Sequence, residues 1–242
     1  MQLDGRVTLV TGAGRRIGRA IAVALGGRGM RVAVHFHGSA TDARETVAAI
    51  VSAGGAAELF RADLRQSGAA ASLVEDVARL MGRLDVLVNS AAVMTRTPIG
   101  EVTEEDWDST FALNLRAPFF AAQAAARLMG DGGAIVNLAD LAAFETWPGY
   151  VPHGISKAGV VQMTRALARV LAPRVRVNAV APGAVLLPES WDESSAARLA
   201  ATTPLRRLGD PDDVVRAVLY LLDADYVTGQ TLIVDGGRHV RS

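Results

Sequence analysis

The chain alternates between short runs of β-branched and other apolar residues and longer stretches in which apolar residues recur at helical spacing. The short runs predict seven strands, at 6–11, 31–36, 57–61, 86–89, 134–138, 175–180 and 231–234. The longer stretches, among them 19–28, 118–129, 160–171 and 212–222, predict helices. This regular exchange of strand and helix is typical of βαβ units.

The composition of the strands predicts a parallel sheet that is buried on both faces. Val86, Leu87 and Val88 follow one another without a polar residue, as in strands covered by helices on both sides. We therefore predict an α/β fold with a doubly wound, seven-stranded parallel sheet and helices on both faces. No repeat, low-complexity tract or linker divides residues 1–242, so a single domain is expected.

The segment 183–204 interrupts the rhythm. It carries Trp191 among acidic and proline residues, between a predicted strand and the next helix. Open α/β sheets often carry functional loops at this place, so we expect a substrate lid here. An ordinary surface helix is the alternative.

A glycine-rich loop connects the first strand to the first helix. Residues 11–18 read Thr-Gly-Ala-Gly-Arg-Arg-Ile-Gly. Glycines allow a tight turn and the close approach of a pyrophosphate, whose charge is met by free N–H groups at the helix start. Gly12, Gly14, Ile17 and Gly18 are therefore expected to bind a dinucleotide, and a purely structural turn is the alternative.

The end of the second strand favours NADP(H) over NAD(H). An acid at this place bonds the ribose 2′-hydroxyl, whereas a cation accommodates a 2′-phosphate. The sequence has no acid there before Asp42, and Arg16, His37 and Ser39 are expected to form a small phosphate pocket. His37 could instead be a solvated residue at the strand end.

Two later strand ends are candidates for further cofactor contacts. Asp63 and Leu64 follow the third strand and are expected near the adenine, and Asn89 and Ala91 follow the fourth strand and are expected along the cofactor. Either pair could simply form a strand-ending turn.

Composition and charge exclude several classes of function. In 242 residues, 25 acidic side chains balance 25 basic ones, which argues against binding of nucleic acid or of an anionic membrane, and leaves small molecules as partners. The chain has no cysteine, which excludes disulfides and thiolate chemistry, and its four histidines lack metal-ligand spacing. No signal or membrane segment is evident, so a cytoplasmic protein is predicted.

Lys157 is the only lysine among the 25 basic residues. A chain that otherwise uses arginine as its cation suggests a chemical reason for this ammonium group, because the two side chains are not interchangeable. A chance surface lysine is the alternative.

Seven motifs, spread over nearly the whole chain, together resemble the short-chain dehydrogenase/reductase family. The resemblance implies a single-domain Rossmann fold. The motifs lie at 11–18, 89–92, 113–115, 135–137, 156–158, 176–183 and 234–237. Arg16 and the His-Phe-His-Gly-Ser sequence at 35–39 are similar to pteridine reductases, an NADPH-dependent branch. The resemblance implies an NADPH-dependent reductase of a carbonyl or C=N bond, pteridine-like substrates included. It also implies cofactor contacts at Pro182 and Gly183 and a homotetramer or homodimer.

The resemblance also implies a catalytic set. Asn114 and Lys157 match the family's Asn and Lys, whereas Asp140 takes the place of Ser, as in pteridine reductases, and His153 takes the place of Tyr. Imidazole is shorter than a phenol by roughly 2 Å, but a protonated His153 beside Asp140 could act as a general acid. The alternative is a catalytically impaired NADP(H)-binding protein with a sensory or structural role.

The expected substrate pocket lacks one aromatic residue. Pteridine reductases resemble one another in an aromatic side chain just past the fourth-strand motif, where this chain has Met94, which offers no ring for stacking. Tyr150, one helical turn before His153, and Trp191 are further candidates for the pocket wall.

Overall fold

Seven strands form the centre of the molecule in the computed structural model, which describes residues 1–130, 132–186 and 192–240. They are β1 (Val7–Val10), β2 (Arg31–Phe36), β3 (Ala56–Arg61), β4 (Val86–Asn89), β5 (Gly133–Leu138), β6 (Val175–Pro182) and β7 (Thr231–Val234). All neighbouring strands pair in parallel, in the order β3-β2-β1-β4-β5-β6-β7. The predicted seven-stranded parallel sheet is confirmed.

Helices connect the strands. They are α1 (Arg16–Gly27), α2 (Ala40–Ser52), α3 (Ala69–Met81), α4 (Glu104–Phe111), α5 (Ala117–Leu128), α6 (Val151–Leu171), α7 (Glu193–Thr202) and α8 (Pro211–Asp223). A π-helical turn (Ala112–Arg116) joins α4 to α5, and short 3₁₀ turns lie at Leu141–Ala143 and Arg238–Val240.

The helices cover both faces of the sheet. Leu9 and Leu87 belong to an apolar cluster with residues of α3, α5 and α6, whereas Val10 and Val88 belong to a second cluster with residues of α1, α2 and α8. Successive strand residues point to opposite faces, so a strand with two buried faces must be apolar throughout. This explains the unbroken apolar runs and confirms the doubly wound arrangement.

Polar contacts fasten the amino edge of the sheet, at which the strands begin. Asp85 accepts from the Val7 amide at 2.9 Å and pairs with the Arg83 guanidinium through contacts of 2.7 and 2.6 Å. The Met1 amino group donates to the carbonyl of Leu222, at the end of α8, over 3.0 Å. The first residue of the chain therefore lies at this edge.

The last described residues lie at the opposite edge. After β7, Asp235 accepts from the Gly237 amide at 2.8 Å, and the turn continues to His239. The ring of His239 lies 5.5 Å from that of Phe144, which follows β5. This end of the chain thus approaches the carboxyl edge of the sheet.

The segment 183–204 is described only in part. Its helix α7 has no buried residue, and Asp192 caps it by accepting from the Ser195 amide at 2.8 Å. Trp191 lies outside the described residues. In the described part of the chain no helix is both long and apolar enough to cross a bilayer, and the cytoplasmic location stays a prediction.

Candidate functional site

Two cavities lie side by side along the carboxyl edge of the sheet. The His37 cavity, of about 380 Å³, lies over the ends of β2 and β3, and the His153 cavity, of about 220 Å³, lies toward β5 and α6. Both are lined by Gly12, Arg15, Ser90, Ala92 and Val93. They therefore form one continuous cleft that an elongated molecule can span.

The glycine-rich loop forms the floor that the two cavities share. Gly12 has a φ of +65°, and a Cβ there would lie 2.9 Å from the Ala91 Cα, so a side chain would displace the loop after β4. A Cβ on Gly18 would lie 2.3 Å from the Gly12 carbonyl oxygen. The absence of side chains at these positions brings backbone N–H groups at the start of α1 close to any ligand in the cleft.

The His37 cavity contains most of the predicted cofactor residues. Gly14, His37, Ser39, Asp63, Leu64 and Ala91 all line it. His37 Nε2 lies 3.8 Å from an oxygen of Asp63. Burial alone would raise the pKa of Asp63, but hydrogen bonds from Arg65 and Gln66 and the charges of His37 and Arg65 outweigh it and lower that pKa. Asp63 is thus an anion that lies beside His37 and Arg65 at this cavity.

The arginine beside His37 and Ser39 is Arg15, and the expectation that it would be Arg16 is corrected. Arg16 lines the His153 cavity and donates to the Leu186 carbonyl at 2.7 Å, just after β6. The reason is conformational: Arg15 is extended, with a φ of −150°, whereas Arg16 has a φ of +54°. Arg15 therefore lines both cavities, whereas Arg16 lines only the His153 cavity of the two.

The His153 cavity collects the predicted catalytic side chains. Asp140, His153, Lys157 and Pro182 line it, together with Ile17, Gly18 and the half-exposed Met94. His153 and Lys157 come from the first two turns of α6, and Asp140 follows β5 and caps the adjacent 3₁₀ turn. Separate elements therefore bring a carboxylate, an imidazole and an amine to one small space.

Hydrogen bonds determine which nitrogen of His153 carries its proton. Asn114 Nδ2 donates to the Val93 carbonyl at 2.9 Å and to Ser156 Oγ at 3.1 Å, which uses both of its protons. His153 Nδ1 lies 3.1 Å from the same carbonyl and 3.4 Å from Asn114 Nδ2. Because a carbonyl oxygen can only accept, the shorter contact has Nδ1 as the donor. The proton of neutral His153 is on Nδ1, so its Nε2 is unprotonated.

The Nε2 atom of His153 lies next to Asp140, and both residues line the His153 cavity. It is buried without a hydrogen-bond partner among the described residues, and it lies 3.6 Å from the Asp140 carboxylate. His153 is only 3% exposed. The pair therefore places an imidazole nitrogen beside a carboxylate at the cavity, too far apart for a hydrogen bond between the two.

Lys157 is buried below this pair. Its Nζ donates to the Leu138 carbonyl at 2.7 Å. Burial lowers the pKa of Lys157 to about 8, and the charge of Asp140 opposes part of that shift. The only lysine of the chain is thus an interior cation, and the chance surface position considered from sequence is excluded.

Asn114 is positioned by the π-helical turn. Its Oδ1 accepts from the Val93 amide and its Nδ2 donates to the Val93 carbonyl, both at 2.9 Å. The side chain thereby fixes the loop after β4 against α6. Nothing in the sequence distinguishes this π turn from an ordinary helix, and it was not predicted.

Three predicted residues take other places. Asn89 donates to Asn137 Oδ1 at 2.9 Å and joins β4 to β5 below the cleft. Gly183 packs against the last segment, since a Cβ there would lie 2.8 Å from that of Asp235. Among the described residues that line the two cavities Tyr150 is not found, and its ring packs edge-on against Trp147.

The structure adds lining residues that the sequence did not single out. They are Arg15, His35, Arg65, Val93 and Leu138. The paired arginines at 15 and 16 were a usable signal, because both lie in the glycine-rich loop. Leu138 belongs only to a predicted strand, and His35 belongs to the 35–39 sequence without a role of its own.

A glycine-rich loop at the start of α1, opening onto a cleft at the carboxyl edge of a doubly wound sheet, defines a dinucleotide-binding protein. Comparison with known proteins agrees: the sequence profile described as enoyl-(acyl carrier protein) reductase matches residues 12–239. A 3-oxoacyl-(acyl-carrier-protein) reductase of Synechocystis sp. is 36% identical over 241 residues, 97% of each chain. A short chain dehydrogenase/reductase of Cryptosporiopsis sp. is 36% identical over 254 residues, 98% of this chain and 96% of the other.

The similarity extends to a solved three-dimensional structure. The angucycline C-6 ketoreductase LanV with bound NADP superimposes with a TM-score of 0.93 at 34% identity, covering 99% of this chain and 98% of the other. The chain therefore belongs to the short-chain dehydrogenase/reductase family of oxidoreductases.

Proposed function

We propose that the protein is an NADP(H)-dependent reductase that transfers hydride to a carbonyl or C=N bond of a small molecule. The observation that carries this proposal is the Asp140–His153 pair, which lines the cavity with the buried Nε2 3.6 Å from a carboxylate oxygen. The relatives support it, since the Synechocystis and LanV proteins are named as reductases of 3-oxoacyl groups and of a ketone.

The residues of the cleft fit the dinucleotide. Arg15, His37 and Ser39 would offer a guanidinium, an imidazole and a hydroxyl to the 2′-phosphate, which favours NADP(H) over NAD(H). The amides of the glycine-rich loop would face the pyrophosphate, and Asp63 and Leu64 would meet the adenine. Lys157, in the His153 cavity, would hold the nicotinamide ribose. When bound, the nicotinamide supplies the hydride.

The Asp140–His153 pair would supply the proton that balances this hydride. In the charged pair, Nε2 of the His153 imidazolium carries the proton that Asp140 stabilises. As hydride reaches the carbon, the π electron pair of the substrate takes this proton on its oxygen or nitrogen, and an alcohol or amine results. His153 keeps its Nδ1 proton on the Val93 carbonyl throughout, which fixes the ring.

Ketone-like carbonyls are the substrate class that we favour. Met94 lines the cavity without a ring to stack a planar heterocycle. Asp140 and Arg16, both lining the same cavity, favour pteridines as a second candidate, because they match the pteridine-reductase pattern. We also propose that the segment 183–204 acts as a lid, since Arg16 contacts its described beginning at Leu186.

Self-association through one helical face is part of the proposal. Phe111, Leu115, Phe119, Met163 and Leu167 line an apolar groove of about 580 Å³ across α4, α5 and α6. Phe119 is 39% exposed there. A second copy of the chain would cover this surface in a homodimer or homotetramer.

The test follows NADPH oxidation against simple diketones, 3-oxoacyl thioesters, cyclic imines and dihydropterins. We expect turnover of a carbonyl or imine substrate, and we expect His153→Phe to lower kcat by about 100-fold or more without changing the Kd for NADPH. His153→Tyr should also lose turnover, and Tyr150→Phe should retain it, because imidazole carries the proton. Lys157→Ala should lose both binding and turnover.

Other outcomes would change the assignment. Turnover gained in His153→Tyr, with none in the parent, would support the alternative of a catalytically impaired NADP(H)-binding protein. Equal kcat for parent and His153→Phe would remove His153 from the reaction. A preference for dihydropterins would replace ketones as the substrate class.

A further inference from the structure

His35 is a second buried histidine, and the proposed reaction does not use it. It is 2% exposed, near the end of β2. Its Nδ1 accepts from the Gly12 amide at 3.1 Å, and its Nε2 lies 3.1 Å from the Ala62 carbonyl. One ring thus connects the glycine-rich loop to the residue that precedes Asp63.

Only one protonation state satisfies both contacts. Because Nδ1 accepts an amide proton, it carries none, so the ring proton is on Nε2 and donates to the Ala62 carbonyl. Burial lowers the pKa of His35 to about 4, against the Ala62 bond, which raises it, and with the charge of His37, which lowers it further. The ring is therefore neutral at neutral pH, and it acts as acceptor at one end and donor at the other.

Gly12 has little freedom to move without consequences. A Cβ on Gly12 would lie 2.9 Å from the Ala91 Cα, and a Cβ on Gly18 would lie 2.3 Å from the Gly12 carbonyl oxygen. Asp63 and Leu64, which follow Ala62, line the same His37 cavity as Gly12. A contact that fixes both Gly12 and Ala62 therefore sets the distance between two walls of that cavity.

We propose that His35 is a positioning residue that holds the glycine-rich loop and the end of β3 in the geometry that binds the dinucleotide. The proposal rests on the proposed function, in which this loop binds NADP(H). Without the ring, the Gly12 amide loses its partner and the loop occupies its binding conformation for only part of the time. The apparent Kd rises in proportion to that loss.

Three variants separate the two hydrogen bonds. In His35→Asn, Oδ1 replaces Nδ1 and keeps the bond from Gly12, and in His35→Gln the side-chain amide replaces Nε2 and keeps the bond to Ala62. His35→Leu removes both. The backbone bond from the Ala13 amide to the His35 carbonyl, at 2.9 Å, remains in all three. The variants therefore test the side chain alone.

We expect the Kd for NADPH, measured by fluorescence titration at pH 7, to rise about tenfold or more in His35→Leu and His35→Gln. His35→Asn should stay within about threefold of the parent. Hydrogen exchange of the amides at 12–18 in cofactor-free protein should quicken in the same order. Val32→Ala is the control, because Val32 lies on the same strand and is fully buried but contacts neither loop by hydrogen bonds.

The outcomes distinguish the two proposals. If the parent binds no NADPH, the proposed function fails, whereas the exchange rates still report whether His35 holds the loop. If the parent binds and the His35 variants match it, or lose affinity only as Val32→Ala does, His35 is a packing residue and the inference is wrong. Loss of affinity in His35→Asn equal to that in His35→Leu would also overturn it.

Discussion

At the scale of single residues, two residues that line the cleft are in energetically unfavourable states, one because its amine is buried and one because of its backbone conformation. Lys157 is an amine buried at 4% exposure, and Arg16 has a left-handed backbone, with a φ of +54°. A non-glycine residue in that region costs roughly 1–2 kcal/mol. The rest of the fold stabilises both states, and each has a measurable consequence.

Lys157 should give the cofactor-free protein a distinct pH dependence of stability. Burial lowers its pKa from 10.5 to about 8, so between these values the unfolded chain holds a proton that the folded one has released. The free energy of unfolding should therefore rise as the pH increases through this window. Lys157→Met should lack that part of the rise. Urea titrations of both proteins from pH 7 to pH 10 measure it, and parallel curves would contradict it.

Arg16 should tolerate glycine better than its neighbour does. Glycine at 16 relieves the left-handed strain, which offsets the greater freedom that glycine gives to the unfolded chain, whereas Arg15 is extended and gains no such relief. We expect Arg16→Gly to be more stable than Arg15→Gly by about 1 kcal/mol in urea unfolding without cofactor. Equal stability of the two variants would show that the left-handed residue carries no strain.

At the scale of elements, the π-helical turn between α4 and α5 points Asn114 inward, where it bonds both backbone groups of Val93. These two hydrogen bonds matter because the Val93 carbonyl also accepts from His153. One turn of unusual helix thus fixes the loop after β4 and, through it, the imidazole.

Asn114→Leu should therefore cost stability beyond the loss of an ordinary amide. It leaves the Val93 amide without its side-chain partner and the Val93 carbonyl with His153 alone, and we expect the free energy of unfolding to fall by about 1–3 kcal/mol. Gln123→Leu, which removes an exposed amide from α5, is the control and should change it by less than about 0.5 kcal/mol. An equal decrease in the free energy of unfolding in both variants would mean that the bonds between Asn114 and Val93 do not stabilise the fold.

The strands were predictable and parts of the site were not, for physical reasons. Burial on both faces of the sheet produces apolar runs such as 86–88, which depend on nothing distant. The backbone φ differs between Arg15 and Arg16, and the role of Asn89 depends on Asn137, 48 residues away. Such contacts leave no local pattern. Asp140, His153 and Lys157 could be grouped in advance only through the family resemblance.

At the scale of the whole molecule, the sheet separates chemistry from assembly. The cleft lies along the carboxyl edge, whereas the apolar groove across α4, α5 and α6 lies on a face. A partner copy on that face would cover part of α6, the helix that carries His153 and Lys157. Association would thereby support the helix from behind without blocking the cleft.

Replacement of one aromatic residue should test this face. Phe119→Glu would place a charge in the groove, and we expect it to shift the protein to a smaller species in light scattering at micromolar concentration. Val51→Glu introduces the same charge at a 53% exposed position on α2, on the other face, and should leave the mass unchanged. A parent that is already monomeric would remove the proposed assembly.

Met1 and His239 lie at opposite edges of the sheet, so attaching the protein to a support through one or the other would orient the cleft differently. Met1 is fastened to Leu222 at the amino edge, on the far side of the sheet from the cleft. The ring of His239 instead lies against that of Phe144, beside the carboxyl edge. A sensor surface or carrier bead coupled through residue 1 would face away from the cleft and leave it open to solution. Coupling at His239 would instead place the bead at the carboxyl edge, along which the cleft lies.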